Sequence, residues 1–84
     1  MHTPFLAEVF PVGEILAEEL NTRGLSLAQL AENTGLTAEF VSEVISGEKE
    51  LTKESATQIG AALGTSGDMW LNLQDSYLLS KETH

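Results

Sequence analysis

Hydroxyl and ammonium side chains recur between Ser26 and Lys53 at spacings that suit contacts with a polyanion. Ser26 and Thr37 each precede a short apolar-periodic segment, where a hydroxyl caps a helix and the free N–H groups of the first turn can also hold a phosphate. Lys49 and Lys53 follow the second segment and could pair with phosphates. Solvated surface lysines fit the same pattern, so the sequence leaves both interpretations open.

The segment that follows Thr37 carries groups able to contact the edges of DNA bases. Ser42 could reach a base edge, and Glu39 and Glu43 could accept a hydrogen bond from N4 of cytosine. Ala38 shares their side of the segment. Glutamates on a solvated helix face are common without any ligand, and this alternative also stays open.

Groups suited to catalysis or metal binding are absent from the sequence. The chain has no cysteine, and its histidines stand near the two ends, at His2 and His84. Its carboxylates are scattered along amphipathic segments, and no glycine-rich phosphate loop is present. We therefore expect no catalytic residue, no metal, no cofactor and no enzymatic activity.

Composition and charge narrow the class of protein. With 84 residues, 42% of them hydrophobic, the chain suits one small folded domain. No apolar run is long enough to span a membrane, and the lack of cysteine favours a cytoplasmic setting. A net charge of −9, from 13 acidic and 4 basic residues, opposes approach to nucleic acid and to anionic lipid.

Hydrophobic periodicity and capping signals predict an all-α fold of about five helices. An apolar stretch between two prolines predicts an extended N-terminal arm over residues 1–12, followed by a helical domain over 13–79 and a polar tail over 80–84. The first helix begins near Gly13, and hydroxyl residues cap the other four. The four predicted caps are Ser26, Thr37, Thr52 and Ser66.

Two short capped segments, Ser26 to Asn33 and Thr37 to Ser46, meet at a tight turn that contains Gly35. This outline is typical of a helix-turn-helix, in which the second helix enters the major groove of DNA. Gly35 is expected to end the first of these helices, because glycine adopts the left-handed conformation at little steric cost. Ala31 and Gly35 are also expected to permit close approach, and Leu36 with two valines is expected to lock the pair. A plain helical hairpin has the same spacing.

Longer motifs add a resemblance to a known family. They are Gly13-Glu14-Ile15-Leu16, Leu30-Ala31 with Gly35, Ala62-Leu63-Gly64-Thr65-Ser66, and Trp70-Leu71-Asn72-Leu73-Gln74 with Tyr77. With these motifs the chain resembles the Xre-like helix-turn-helix family of HigA-type antitoxins, also found as a leading domain on ImmA/IrrE-type metallopeptidases. The resemblance implies a lambda-repressor-like fold and a homodimeric repressor that reads an operator palindrome and silences an RNA-cleaving toxin.

The predicted recognition segment departs from the family pattern. Members usually carry Arg, Gln or Asn across this helix and a basic pair after it, whereas this chain has Ala38, Glu39 and Phe40, followed by Gly47-Glu48-Lys49-Glu50. Only Lys49 remains of the basic pair. Each replacement by glutamate removes attraction for phosphate and adds repulsion.

Large apolar side chains outside the helix pair are candidates for contacts with a partner chain. Leu6 and Phe10 lie in the arm, which has little of its own domain to cover it. Phe40 either is exposed and contacts a protein or folds back on the core. Trp70 and Tyr77 share a helical face that packs in the core or in a dimer.

Two functions follow from these features. The first is a sequence-specific DNA-binding regulator of the HigA-antitoxin type, which represses its own operon and neutralises a cognate toxin. The second is an acidic interaction module that keeps the helix-turn-helix fold, has lost DNA binding and takes a basic protein as its partner.

Overall fold

Five α-helices follow one another in the computed structural model, which describes residues 10–82, and the side chains among them from 10 to 80. No strand occurs within this range, and the prediction of an all-α fold with about five helices is confirmed. We number the helices α1 (Val12–Arg23), α2 (Leu27–Thr34), α3 (Ala38–Ser46), α4 (Lys53–Leu63) and α5 (Gly67–Glu82).

The outer boundaries differ slightly from those expected. Helix α1 begins one residue earlier, at Val12, with Pro11 as its N-cap and the Pro11 carbonyl accepting from the N–H of Glu14 at 3.0 Å. Helix α5 extends to Glu82 and so includes part of the predicted tail over 80–84. Neither glycine nor proline follows its first residue, so nothing in the sequence ends it earlier.

The hydroxyl caps are confirmed. The Ser26 hydroxyl accepts from the N–H of Gln29 at 3.1 Å, and the Gln29 amide accepts in return from the N–H of Ser26 at 2.8 Å. Ser66 accepts from the N–H of Met69 at 3.1 Å. Thr52 forms a reciprocal box that the sequence analysis missed, because Ser55 takes the place usually held by Glu or Gln.

Gly35 ends α2 in the left-handed conformation, as predicted, but it does not serve the second purpose expected of it. Its φ of 82° lies in the left-handed region, and a Cβ built on it would meet nothing within 4 Å. The expectation that Gly35 permits close approach is therefore wrong. Glycine is favoured here because its backbone adopts a conformation that side chains disfavour.

Close approach of helices occurs instead at Gly13 and Gly60. A Cβ on Gly13 would lie 2.7 Å from the carbonyl oxygen of Ile45, so α1 packs directly on the backbone of α3. A Cβ on Gly60 would lie 2.7 Å from the carbonyl carbon of Ser66, where α4 meets the start of α5. At both positions, the lack of a side chain allows the two backbones to lie this close together.

The core lies between all five helices and is built from their apolar sides. Its most buried large members are Leu16, Leu30, Val41, Val44, Ile59 and Trp70.

Trp70 belongs to this core. Its side chain is 1% exposed, and its indole N–H donates to the Thr65 hydroxyl at 2.8 Å. The prediction that Trp70 contacts a partner chain is therefore wrong, because its side chain is buried within its own chain. Packing in the core was the alternative considered for this residue.

Gln74 ties the loop between α3 and α4 to helix α5. Its amide oxygen accepts from the N–H of Leu51 at 2.6 Å, and its amide N–H donates to the carbonyl of Leu51 at 2.9 Å. Both groups are buried. The side chain thus satisfies both backbone groups of a buried loop residue and fixes where α4 begins relative to α3.

Candidate nucleic-acid interface

The turn between α2 and α3 is fixed by its own hydrogen bonds and by apolar packing. The Thr34 hydroxyl donates to the carbonyl of Leu30 at 2.8 Å and accepts from the N–H of Leu36 at 3.2 Å. Leu36 packs against the core, and Val41 and Val44 are buried. The two helices are therefore held as a rigid pair, as a helix-turn-helix requires.

The opposite side of α3 faces solvent. Ala38, Glu39 and Ser42 are exposed, and Glu43 is partly exposed. Within the part of the chain that the structure describes, neither Glu39 nor Ser42 has a side-chain hydrogen bond or ion pair. The side of α3 that we predicted to face a ligand is therefore not covered by other described parts of the chain.

Phe40 lies at the edge of this face and is half-buried against the core. It lines a shallow depression with Leu36, and Gln58 of α4 closes the other side. Of the two alternatives left open for Phe40, the structure favours folding back on the core.

Capping leaves the N-termini of α2 and α3 available to an anion. The Thr37 hydroxyl accepts from the N–H of Phe40 at 3.0 Å, and the Ser26 hydroxyl plays the same part for α2. Both caps are exposed, and neither hydroxyl donates to another described residue. Each hydroxyl proton, together with the free N–H groups of the first turn, can therefore be donated to a phosphate oxygen.

Lys49 is less free than the sequence suggested. Its ammonium lies 3.6 Å from the Glu43 carboxylate. The cause is the turn at Gly47, φ 89°, after which the N–H groups of Glu48 and Lys49 both donate to the carbonyl of Glu43, at 2.8 and 3.2 Å. The left-handed glycine could have indicated this return of the chain over α3.

The remaining cations differ in their pairing. Arg23 is paired with Glu19 at 2.7 Å on α1. Lys53, the first residue of α4, is exposed and makes no ion pair within residues 10–80. Among the basic side chains that the structure describes, it is the one available to a phosphate without breaking an existing pair.

The sequence analysis missed two polar residues on α4. Glu54 and Gln58 lie one helical turn apart and line the same depression as Phe40. Their spacing was visible in the sequence, but only the packing of α4 beside α2 and α3 places them next to the helix pair. Glu54 adds a further negative charge to this region.

The other candidate contact residues are separate from this face. Leu6 lies outside the described residues. Phe10, 51% exposed, borders a shallow depression with Ile15 and the glutamates of α1. Tyr77 is half-buried on α5 and has an interaction within the chain.

Within the described residues, no three acidic or histidine side chains are grouped so that they could hold a metal ion. His2 and His84 lie outside these residues. None of the described helices has the length and apolar content needed to cross a bilayer.

Known proteins similar to this chain are regulators and antitoxins. An HTH-type transcriptional regulator, YddM of Escherichia coli (strain K12), is 32% identical over 69 residues, which are 82% of this chain and 73% of that protein. A HigA-family addiction module antidote protein from Coxiella burnetii has 34% identity and a TM-score of 0.80, with 86% of this chain and 79% of that chain covered.

A third relative has been solved with DNA. It is the antitoxin HigA of Pseudomonas aeruginosa with the higBA promoter, with 29% identity, a TM-score of 0.82, and coverage of 89% of this chain and 83% of that chain. In addition, residues 13–75 match the family model described as cyanate hydratase, N-terminal. The chain therefore belongs to the Xre-like helix-turn-helix family of HigA-type antitoxins, and its residues 13–75 form a domain of the cyanate hydratase N-terminal type.

Proposed function

We propose that this chain is a sequence-specific DNA-binding repressor and antitoxin of the HigA type, which binds the operator of its own operon through α3. The observation that carries the proposal is the exposed face of α3, formed by Ala38, Glu39 and Ser42 on a helix whose other side is locked in the core. A related HigA has been solved with its promoter, which supports the same use of this fold.

Phosphate contacts position α3 in the groove. The capped N-termini at Ser26 and Thr37 contact backbone phosphates on either side of the helix pair through hydroxyl and N–H groups. Lys53 contacts a phosphate by charge, and Lys49 contributes less because Glu43 already neutralises it. Neutral donors thus carry much of the anchoring, which suits a chain of net charge −9.

The acidic interaction module without DNA binding is the less favoured function. Its support was the shortage of cations, but hydroxyl and backbone donors can hold phosphates without them. We place the protein in the cytoplasm, with operator DNA, and assign it no catalytic role. The match to the cyanate hydratase model covers an N-terminal domain, and we carry over its fold alone.

A homodimer and a toxin complete the proposal. Large apolar side chains remain exposed at Phe10 before α1 and at Leu79 on α5, 51% and 61% exposed, and a second copy would cover such surface. A dimer also matches the two halves of a palindrome. The sedimentation mass of the chain, and co-purification with the product of the neighbouring reading frame, test these two partners.

Fluorescence anisotropy with a duplex from the chain's own promoter, at two salt concentrations, tests DNA binding. We expect specific binding that weakens as salt rises, and a larger loss for Lys53→Gln than for Arg23→Gln. Both variants remove one positive charge, but Arg23 is already paired with Glu19. Weak binding that is the same for promoter and unrelated duplexes would refute the proposal.

A further inference from the structure

Two carboxylates lie one turn apart on α3 in different surroundings. Glu39, the second residue of the helix, is exposed and has no partner among the described residues. Glu43 has a side chain 27% exposed, and its carboxylate is 3.6 Å from the ammonium of Lys49. Only the first carboxylate is free to accept a hydrogen bond from a ligand without losing a partner.

Glu39 also stands where a recognition helix meets bases. Residues near the N-terminus of such a helix contact base edges, and Glu39 follows the cap at Thr37 by two positions. Ser42, three residues later on the same exposed face, has a small side chain and leaves space for a base beside Glu39. The positive end of the helix dipole stabilises a negative charge at this position.

The chemistry of a carboxylate restricts what Glu39 can bind there. An ionised carboxylate only accepts hydrogen bonds, and phosphates repel it. In the major groove the donors are N4 of cytosine and N6 of adenine, and adenine also presents the acceptor N7 next to N6. A carboxylate facing adenine is therefore repelled by N7, whereas cytosine itself carries no acceptor on its major-groove edge.

We infer that Glu39 is a specificity-determining residue that accepts a hydrogen bond from N4 of a cytosine in each operator half-site. Glu43 does not contact a base, because Lys49 holds its carboxylate. This inference rests on the proposed function and deepens it, since it names one base that α3 selects. It also explains how a glutamate on the binding face is compatible with DNA recognition.

Selection from a randomised operator library tests the inference, with the wild-type chain and Glu39→Gln compared. The wild type is expected to prefer cytosine at one half-site position by roughly tenfold over the other bases. Glutamine pairs with N6 and N7 of adenine, so Glu39→Gln should move the preference at that position to adenine and leave the others unchanged.

Two controls separate base contact from charge. Glu48→Gln removes one negative charge at an exposed residue outside α3, and Glu43→Gln removes one from the same helix face. Both should raise affinity for all duplexes, because a repulsive charge is lost, without changing the preferred base. Thermal unfolding followed by circular dichroism checks that every variant is folded.

Three results of these experiments would overturn the role inferred for Glu39. A Glu39→Gln variant that binds every duplex more tightly with unchanged base preference would show that Glu39 only repels DNA, and would overturn it. A shift in preference caused by Glu43→Gln instead would also overturn it. If the wild type selects no sequence at all, the proposed function itself fails, which is a distinct result, and the inference fails with it.

Discussion

At the corner between α4 and α5, side chains and backbone groups from different segments of the chain hold one another in place. Gly60 lets the backbone of α4 approach Ser66, Trp70 fills the core, and the Gln74 amide bonds both backbone groups of Leu51. On the outward face of α3, by contrast, Glu39 and Ser42 have no described partner. Stability and recognition thus depend on largely separate residues in this small domain.

Trp70→Ala gives the largest effect on the corner. The side chain is almost completely buried, so its removal leaves a cavity and an unpaired Thr65 hydroxyl. We expect a loss of about 3–5 kcal/mol in the free energy of unfolding. Urea unfolding measures it, with Met69→Ala as the control, since that residue of α5 is 38% exposed and should cost far less. Equal losses would contradict the assignment of Trp70 to the core.

Gln74→Leu tests the polar link of the same corner. Leucine keeps similar volume but leaves the N–H and carbonyl of Leu51 buried without partners, which costs about 1–3 kcal/mol. Thermal unfolding should show a lower Tm, and hydrogen exchange at the Leu51 amide should accelerate. Slow, unchanged exchange at that amide would show that the link does not hold the loop.

Thr37→Ala affects both stability and recognition, because Thr37 caps α3 beside its outward face. Loss of the cap on α3 is expected to cost about 0.5–2 kcal/mol of stability. The variant should also lose operator affinity at temperatures where it is fully folded, because the hydroxyl can no longer donate to a phosphate. Ser66→Ala removes the cap of α5 and is the matched control, with a loss of stability but unchanged affinity per folded molecule.

Glu39→Gln gives the smallest effect on stability. An exposed side chain without a described partner contributes within about 0.5 kcal/mol of the free energy of unfolding. Tm should therefore stay close to that of the wild type while the base preference changes. A large decrease in Tm would show that Glu39 has a structural role, and would contradict the assignment of this residue to recognition alone.

Much of the fold could be predicted from the sequence because its signals are local. Ser26 and Thr37 cap helices through residues three positions away, and Gly47 marks a left-handed end. The partner of Gln74 could not be predicted in the same way. Leu51 lies 23 positions from Gln74, and only the packing of the helices brings them together.

The candidate site could be predicted in outline but not in its electrostatics. Periodicity on α3 separates the buried Val41 from the exposed Ser42, so the outward face follows from spacing. The ion pair of Lys49 with Glu43 depends on the path of the chain after the helix. The left-handed end at Gly35 was predicted correctly, whereas the close approach expected there was wrong, because the space around a glycine is not visible in a sequence.

A steric test shows whether the outward face of α3 contacts operator DNA. Ser42→Trp and Thr22→Trp each place an indole at an exposed position, the first on α3 and the second on α1. In an anisotropy titration of the operator duplex, we expect Ser42→Trp to weaken binding by roughly tenfold or more and Thr22→Trp to bind like the wild type. Unimpaired binding by a folded Ser42→Trp variant would show that this face of α3 does not contact the operator.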